Sequence, residues 1–352
     1  MFAGFASIWT PVARSIDLGR KPLGLVVADQ ALVLFRDANG QPGALLARCP
    51  HRGADLSRGR VTPDGCLECP YHGWRFDLEG ACTKVPGTPL TTAQLKRLAA
   101  TRLPVREQGS LIWIFTDPET VPDSEPLVPS VCLDQRLYVR LGCFTWPVHW
   151  THAMENALDP AHLGFVHARS FGGPLRRALM SSEARMRVSL DPLPTGWRMG
   201  WTVAGEPGNV SLEFIRPNRV DLLFPSEPRT RLVFWAFPAA AGETRLIVGS
   251  VGKRYTSWLR WLTDRMVAKV MREDGTVLTT CGQEEVPLPE HGKFVPSDRG
   301  SLAFRQYYYQ VLRPSQASVS AKHAPGDDPT HGDGRLHRAD PESRPTGVTW
   351  DH

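Results

Sequence analysis

The 352-residue sequence has no stretch of eighteen uninterrupted apolar residues, so a membrane-crossing helix is not expected. Its first residues, MFAGFASIWTPVARS, lack the basic segment and long apolar core of a secretory leader. No Lys/Arg run is interleaved with aromatic residues, and nucleic acid is therefore not an expected partner. Seven cysteines in a chain of this length do not form a disulfide framework. These absences lead to the expectation of a soluble, cytoplasmic protein with reduced thiols.

What is present is ordinary globular material, 41% hydrophobic and 22% charged, with 31 Gly and 31 Pro pointing to turns and strands. The net charge of +5 is uneven, because Pro314 to His352 carries four Lys or Arg against six Asp or Glu. A mildly basic body suits the docking of an acidic redox protein. From Pro22 to Arg48, LGLVVA, ALVLFRD and ALLARC flank an Asn39-Gly40 turn and read as strands of a hairpin. RFDLEGAC reads as another hairpin and SLIWIFTD as a buried strand, which makes residues 1–125 a compact β domain. The Pro- and acid-rich segment from Asp117 to Ser130 is the expected linker. Beyond it a helical pattern begins near Thr151 and is disturbed at Asp159-Pro160. RMRVSL, GWRMGWTV, VSLEFI, RVDLLF, RLVFWAF and TRLIVGSV then imply an antiparallel sheet of about six strands. An amphipathic helix is expected from about Ser257 to Cys281, with Trp258, Trp261, Leu262, Met266, Val267, Val270, Met271, Val277 and Leu278 near helical spacing. The second unit spans 126–313, and the polar tail 314–352 is expected to be disordered.

The densest chemistry lies in CPHRGADLSRGRVTPDGCLECPYHGW, Cys49 to Trp74, which holds two Cys-His pairs, Cys49/His51 and Cys69/His72. Two thiolates on one iron and two imidazoles on the other make a 2Fe-2S centre of the Rieske kind. A structural zinc site is the competing use of these residues. Zinc pairs are usually spaced by two or more residues, whereas only Pro50 separates Cys49 from His51. Cys66, Cys82, Cys132, Cys143 and Cys281 read as ordinary thiols.

This stretch resembles the N-terminal domain of the Rieske non-haem iron ring-hydroxylating oxygenases, CPHRGxxLSxGxV through CPYHGWxF. Respiratory-chain Rieske proteins carry two further cysteines in a bridging disulfide, and this sequence has Ala54 and Tyr71 there. A centre without that bridge is expected at the low end of the Rieske potential range. Such a potential suits an electron donor to oxygen chemistry.

A second centre would decide between carrier and enzyme. MENALDPAHLGFVH, Met154 to His167, spaces Asn156, Asp159, His162 and His167 as N-x2-D-x2-H-x4-H. Both histidines can reach one ion if the helix is distorted, as Pro160 and Gly164 suggest. This spacing resembles the family's mononuclear iron motif. The resemblance implies that His162 and His167 hold iron. It also implies that Asp159 hydrogen-bonds His162 and faces the Rieske histidine of a neighbouring subunit, with Asn156 close by. Non-haem Fe(II) oxygenases add one carboxylate to two histidines. Asp274 is expected in that role because it continues the apolar stripe of its helix, with Glu273 as the alternative if the register shifts. The context MREDGTVLTTCGQE resembles the family's corresponding helix in the branch containing vanillate demethylase, dicamba monooxygenase and the chlorophyllide and pheophorbide a oxygenases. His149 and His152 are read as core residues and His291 as surface.

The expected fold is α+β, an all-β Rieske domain followed by a helix-grip, START-like antiparallel-sheet domain. The expected function is terminal oxygenase, adding one oxygen atom to an aromatic or large hydrophobic molecule by hydroxylation or oxidative demethylation. About half of Trp197, Trp201, Phe214, Phe224, Phe234, Trp235 and Phe237 are expected to face its pocket. The chain has no G-x-G-x-x-G after a strand and no second four-cysteine pattern. An NAD(P)H-dependent reductase, with or without a ferredoxin, is therefore expected as partner. The family resemblance further implies a homotrimer. The competing class is a Rieske electron carrier with a non-catalytic second domain.

Overall fold

The computed structural model describes residues 1–314 apart from Ala3, Asn209, 225–229 and 254–259. The expected tail and Trp258 lie outside the described residues. In chain order the first strand is β1 (Trp9–Arg14), followed by the meander β2 (Leu23–Val27), β3 (Gln30–Arg36) and β4 (Pro42–Leu46). The Asn39-Gly40 turn joins β3 to β4, with Gly40 at φ +80°. Next come four short strands, β5 (Arg60–Val61), β6 (Leu67–Glu68), β7 (Arg75–Phe76) and β8 (Cys82–Lys84), paired in that order. Helix α1 (Thr92–Lys96) leads to β9 (Val105–Gln108) and β10 (Leu111–Phe115), and β1, β10 and β9 form a separate three-stranded sheet.

This unit has two cores. Val33, Phe35, Leu45, Leu56, Leu67 and Phe76 pack under the Cys-His loops as one cluster. Phe2, Phe5, Val12, Ile112 and Trp113 belong instead to a larger core that continues through the rest of the molecule. Phe5 meets Trp150 edge-on at 5.4 Å, and Trp113 meets Trp235 likewise at 5.7 Å. Asn218, 3% exposed, donates to Thr10 Oγ1 at 3.1 Å. The β1 sheet is thus part of the scaffold of the second unit as well as of the first.

After β10 the next elements are α2 (Ser130–Leu133), β11 (Leu137–Trp146), α3 (Trp150–Ala157), α4 (His162–Phe165) and α5 (Gly173–Leu179). The sheet continues with β12 (Met186–Leu193), β13 (Gly196–Val203), β14 (Glu206–Pro207), β15 (Ser211–Ile215), β16 (Arg219–Leu223), β17 (Arg231–Pro238) and β18 (Thr244–Lys253). Two helices follow, α6 (Arg260–Leu278) and α7 (Arg299–Tyr307). The sheet has eight strands in the order β11-β18-β17-β16-β15-β13-β12, with β14 on β13. The expectation of about six omitted the two-residue β14 and also β11, which pairs with β18 along all ten residues. The architecture is the expected α+β one.

Helix α6 packs across β11 and α3. Its buried face is Asp264, Val267, Met271, Asp274 and Leu278, a 3-4-3-4 spacing that tracks one side of an α-helix. Trp261, Leu262, Met266 and Val277, expected with that stripe, are exposed instead. Arg140 of β11 reaches Asp264 at 2.5 Å, both about one-tenth exposed. All seven cysteines are free, and Cys281 is exposed. No helix among the described residues is long and apolar enough to cross a membrane.

Candidate metal centres

The first constellation consists of two loops with the same hydrogen-bond plan. In one, Cys49 N–H donates to Ala54 O at 2.9 Å and Gly53 N–H to Cys49 O at 2.9 Å; in the other, Cys69 N–H donates to Trp74 O at 2.8 Å and Gly73 N–H to Cys69 O at 3.1 Å. Each loop turns through a glycine at positive φ, +72° and +69°, a conformation that costs a Cβ-bearing residue more. The repeat brings Cys49 and Cys69 together at the base, 2% and 4% exposed. It also brings the His51 and His72 rings within 4.6 Å of each other. Trp74 stacks on His51 at 4.4 Å with the planes 4° apart.

Burial pushes the Cys49 thiol up to about 11, against hydrogen bonds from the main-chain N–H of His51 and Arg52. Desolvation, then the His72 and Arg52 charges, hold His51 below its ordinary value. His51 Nδ1 is buried with no hydrogen-bond partner. Two buried thiols opposite two imidazoles, one of them with its pKa lowered and a nitrogen left without a hydrogen bond, fit a cluster that binds sulfur and imidazole nitrogen. His72 and Tyr71 face outward.

The second constellation is built where α3 stops. Leu158 caps α3 and Asp159-Pro160 turns the chain, the Asp159 carboxylate accepting from Ala161 N–H at 2.8 Å. Helix α4 is one turn long, and His167 lies just beyond it. The His167 carbonyl accepts from the N–H groups of Ser170, Phe171 and Gly172 at 2.9–3.1 Å, which fixes the direction in which the ring leaves the backbone. Gly164 lies in this one-turn helix, which ends at Phe165. It lets α5 approach, since a Cβ there would lie 3.2 Å from Arg176 N.

His162 Nε2 and His167 Nε2 lie 3.6 and 3.1 Å from Asp274 Oδ1, and one ligand atom from each of the three residues falls within 4.8 Å of the others. His167 is wholly buried and Asp274 is 3% exposed. His167 Nε2 and Asp274 Oδ1 make no hydrogen bond. A buried carboxylate oxygen and imidazole nitrogen aimed at one point without partners carry a large desolvation cost. A divalent cation is what such a donor set fits.

Glu273, the alternative carboxylate, faces the other side of the ring. Its Oε2 lies 2.8 Å from His167 Nδ1, while Oε1 accepts from Ser170 Oγ at 2.6 Å. Burial lowers the His167 pKa, but the Asp274 and Glu273 carboxylates outweigh it and leave the ring above its ordinary value. On His162 the second nitrogen, Nδ1, is hydrogen-bonded to the main-chain carbonyl of Asp159. The Asp159 carboxylate itself stands 3.9 Å away, and burial raises its pKa.

Above these residues lies a cavity of about 390 Å³. Asn156, Asp159, His162, His167 and Asp274 line it together with mostly apolar side chains. Leu212, Leu222 and Leu232 form one cross-strand row on β15, β16 and β17, with Phe234 beside Val248 on β17 and β18. Of the seven aromatic residues expected to face it in part, Phe224 and Phe234 do. Trp197, Trp201, Phe214, Trp235 and Phe237 are not among its walls. Trp146, unremarked in the sequence, is. His149 and His152 stand outside the cavity, where His149 caps α3 and His152 Nε2 lies 3.0 Å from Glu284 O.

Paired Cys-His loops on a small β unit and a buried two-histidine, one-carboxylate set on a helix-crossed sheet define a protein of the Rieske type with a second, mononuclear iron domain. Residues 8–96 match the Rieske 2Fe-2S domain and 146–313 the vanillate O-demethylase oxygenase C-terminal domain. The chain belongs to the Rieske oxygenase family that combines these two domains, and carries its 2Fe-2S cluster and mononuclear iron as cofactors. Among relatives, pheophorbide a oxygenase of Oryza sativa is 28% identical over 88% of this chain and 61% of that protein. Chlorophyllide a oxygenase of Chlamydomonas reinhardtii is 34% identical over 86% and 48%. This chain spans less than two thirds of these relatives' length. Among solved structures, dicamba monooxygenase superposes with a TM-score of 0.70 at 21% identity, covering 89% of this chain and 98% of that one. NdmA of Pseudomonas putida CBB5 superposes at 0.72 and 22%, covering 94% and 98%. At these identities the superpositions speak for the fold.

Proposed function

We propose that the chain is the terminal oxygenase of a Rieske-type system, inserting one oxygen atom of O2 into an apolar small molecule while the other leaves as water. The observation that carries this reading is the convergence of His162, His167 and Asp274 on the wall of an apolar cavity, with His167 Nε2 and Asp274 Oδ1 buried and without a hydrogen bond. Iron held there supplies oxygen activation, with electrons delivered through the cluster.

In this reading Cys49, His51, Cys69 and His72 hold the cluster within residues 1–125, and His162, His167 and Asp274 hold iron within 126–313. Glu273 fixes the His167 ring through Nδ1, as carboxylates do behind metal-bound histidines. The apolar walls orient substrate and keep water from the reacting carbon. Asn156 and Asp159 line the same cavity, Asp159 on the path to the cluster.

The exposed edge of His72 is where electrons enter and leave, from an NAD(P)H-dependent reductase, with or without a ferredoxin, and towards Asp159 of a neighbouring copy in a homotrimer. Free cysteines suit a reducing compartment such as the cytoplasm. Relatives named as an O-demethylase and as pheophorbide a and chlorophyllide a oxygenases favour hydroxylation or oxidative demethylation. The test is oxygen uptake by the reconstituted chain with a surrogate reductase, NADH and a panel of neutral aromatic and polycyclic compounds. Uptake that depends on a panel compound and yields its hydroxylated or demethylated product is expected. Cluster reduction without any compound-dependent uptake would contradict the reading.

A further inference from the structure

Gly275 occupies the interior of α6, where glycine is among the least favoured residues. It is buried and follows Asp274 directly. The reason for a glycine is on the neighbouring strand. A Cβ at position 275 would lie 2.8 Å from Nε1 and 2.9 Å from Cδ1 of Trp146, well inside the ordinary contact distance of about 3.5 Å.

The indole is anchored where it stands. Its Nε1–H donates to the carbonyl of Met271 at 3.0 Å, the same carbonyl that the helical ladder offers to the N–H of residue 275. Trp146 is 5% exposed and ends β11, where it pairs with Thr244 of β18. One rigid side chain therefore joins the sheet to the turn of α6 that carries Asp274. That turn also presents Asp274 Oδ1 to both histidines at 3.1 and 3.6 Å.

We propose that Gly275 and Trp146 form a seat that sets the depth and rotation of α6, so that Asp274 meets His162 and His167 at metal-binding distance; Trp146 is a positioning residue for the iron site. A methyl group at 275 would force helix and indole apart by on the order of 0.5–1 Å to regain normal contact. Metal sites tolerate about 0.2 Å in ligand distance. The displaced carboxylate would then be the weakest of the three donors.

The seat rests on the reading of His162, His167 and Asp274 as the iron-holding set, and the experiment separates the two. Full-length protein with its cluster assembled is titrated anaerobically with Fe(II) as wild type, Gly275→Ala, Trp146→Phe and the double variant. The visible spectrum of the cluster reports folding. Gly275→Ala is expected to weaken Fe(II) binding about tenfold or more when the tryptophan is present. Combined with Trp146→Phe, where the smaller ring can move into the vacated space, alanine is expected to cost less than threefold. If Gly275→Ala alone yields no folded protein while the double variant folds and binds iron, the seat is supported as well. Equal cost of alanine with and without Trp146→Phe, no cost in either case, or failure of both alanine variants to fold would overturn the seat. A wild type that takes up no Fe(II) beyond the cluster would overturn the reading of the site itself.

Discussion

His167 Nδ1 and Glu273 Oε2 stand 2.8 Å apart although 106 residues separate them in the chain. The same imidazole turns Nε2 to Asp274, so two consecutive carboxylates of α6 address the two nitrogens of one ring. A carboxylate on the second nitrogen fixes the ring's tautomer and orientation for a metal on the first. Glu273→Ala is expected to weaken iron retention about tenfold, and Glu273→Gln, which can still accept a hydrogen bond, less. Iron content after dialysis against a chelator, with the cluster spectrum as control, measures both. An alanine variant that keeps its iron as wild type does would remove Glu273 from the site.

Asp159 is expected to matter for electron delivery and not for metal occupancy. In Asp159→Asn, both metals should remain bound while oxidation of the pre-reduced cluster by O2 and substrate slows about a hundredfold. Stopped-flow absorbance follows that step directly. Cluster oxidation at the wild-type rate would contradict the relay.

The cavity makes a size prediction. Leu222 is the middle residue of the row Leu212, Leu222, Leu232. Leu222→Phe should raise KM for the largest accepted substrate about tenfold or more, through overpacking worth about 1–3 kcal/mol, and spare smaller ones. Steady-state kinetics over a homologous substrate series checks this. A uniform change across the series would place Leu222 away from bound substrate.

His149 supplies a pH dependence remote from the metals. Its Nδ1 faces the Thr151 hydroxyl at 2.8 Å and caps α3. Burial, and to a lesser extent the charge on His152, lower its pKa to about 4 against the opposing pull of Glu285. The folded state therefore binds this proton more weakly than the unfolded chain. The stability held by the neutral ring is complete above about pH 6.5 and is lost as pH falls from there towards 4. The difference amounts to about 3 kcal/mol at the acid end. His149→Asn keeps a capping side chain without the titration, so its melting temperature should fall less than that of wild type between pH 7 and 5. Parallel declines would refute the assignment.

The cluster loops were legible in the sequence because all four residues, their prolines and their glycines lie within one short stretch. His162 and His167 were legible for the same reason. Asp274 could be found at a distance because a carboxylate repeated the apolar spacing of α6. Glu273 carried no such signal, since its partner is fixed only when α6 crosses the end of α4. Gly275 is unfavourable in a helix by propensity alone, and only the packing of Trp146 against it accounts for it. The exposed Trp261, Leu262 and Met266 misled because a hydrophobic side chain at helical spacing does not say whether the neighbouring surface covers it. Strand β11 lies at the sheet edge, and its place there is set by pairing with β18 along ten residues. The cavity walls proved mainly aliphatic, because which face of each strand turns inward depends on register.

The central claim is that one chain holds a Rieske cluster and a separate iron on His162, His167 and Asp274. The direct measurement is iron per chain after anaerobic reconstitution, for wild type and Asp274→Ala. The account predicts about three irons for wild type and about two for the variant, with the same cluster spectrum in both. Two irons in wild type, or three retained in Asp274→Ala, would contradict it.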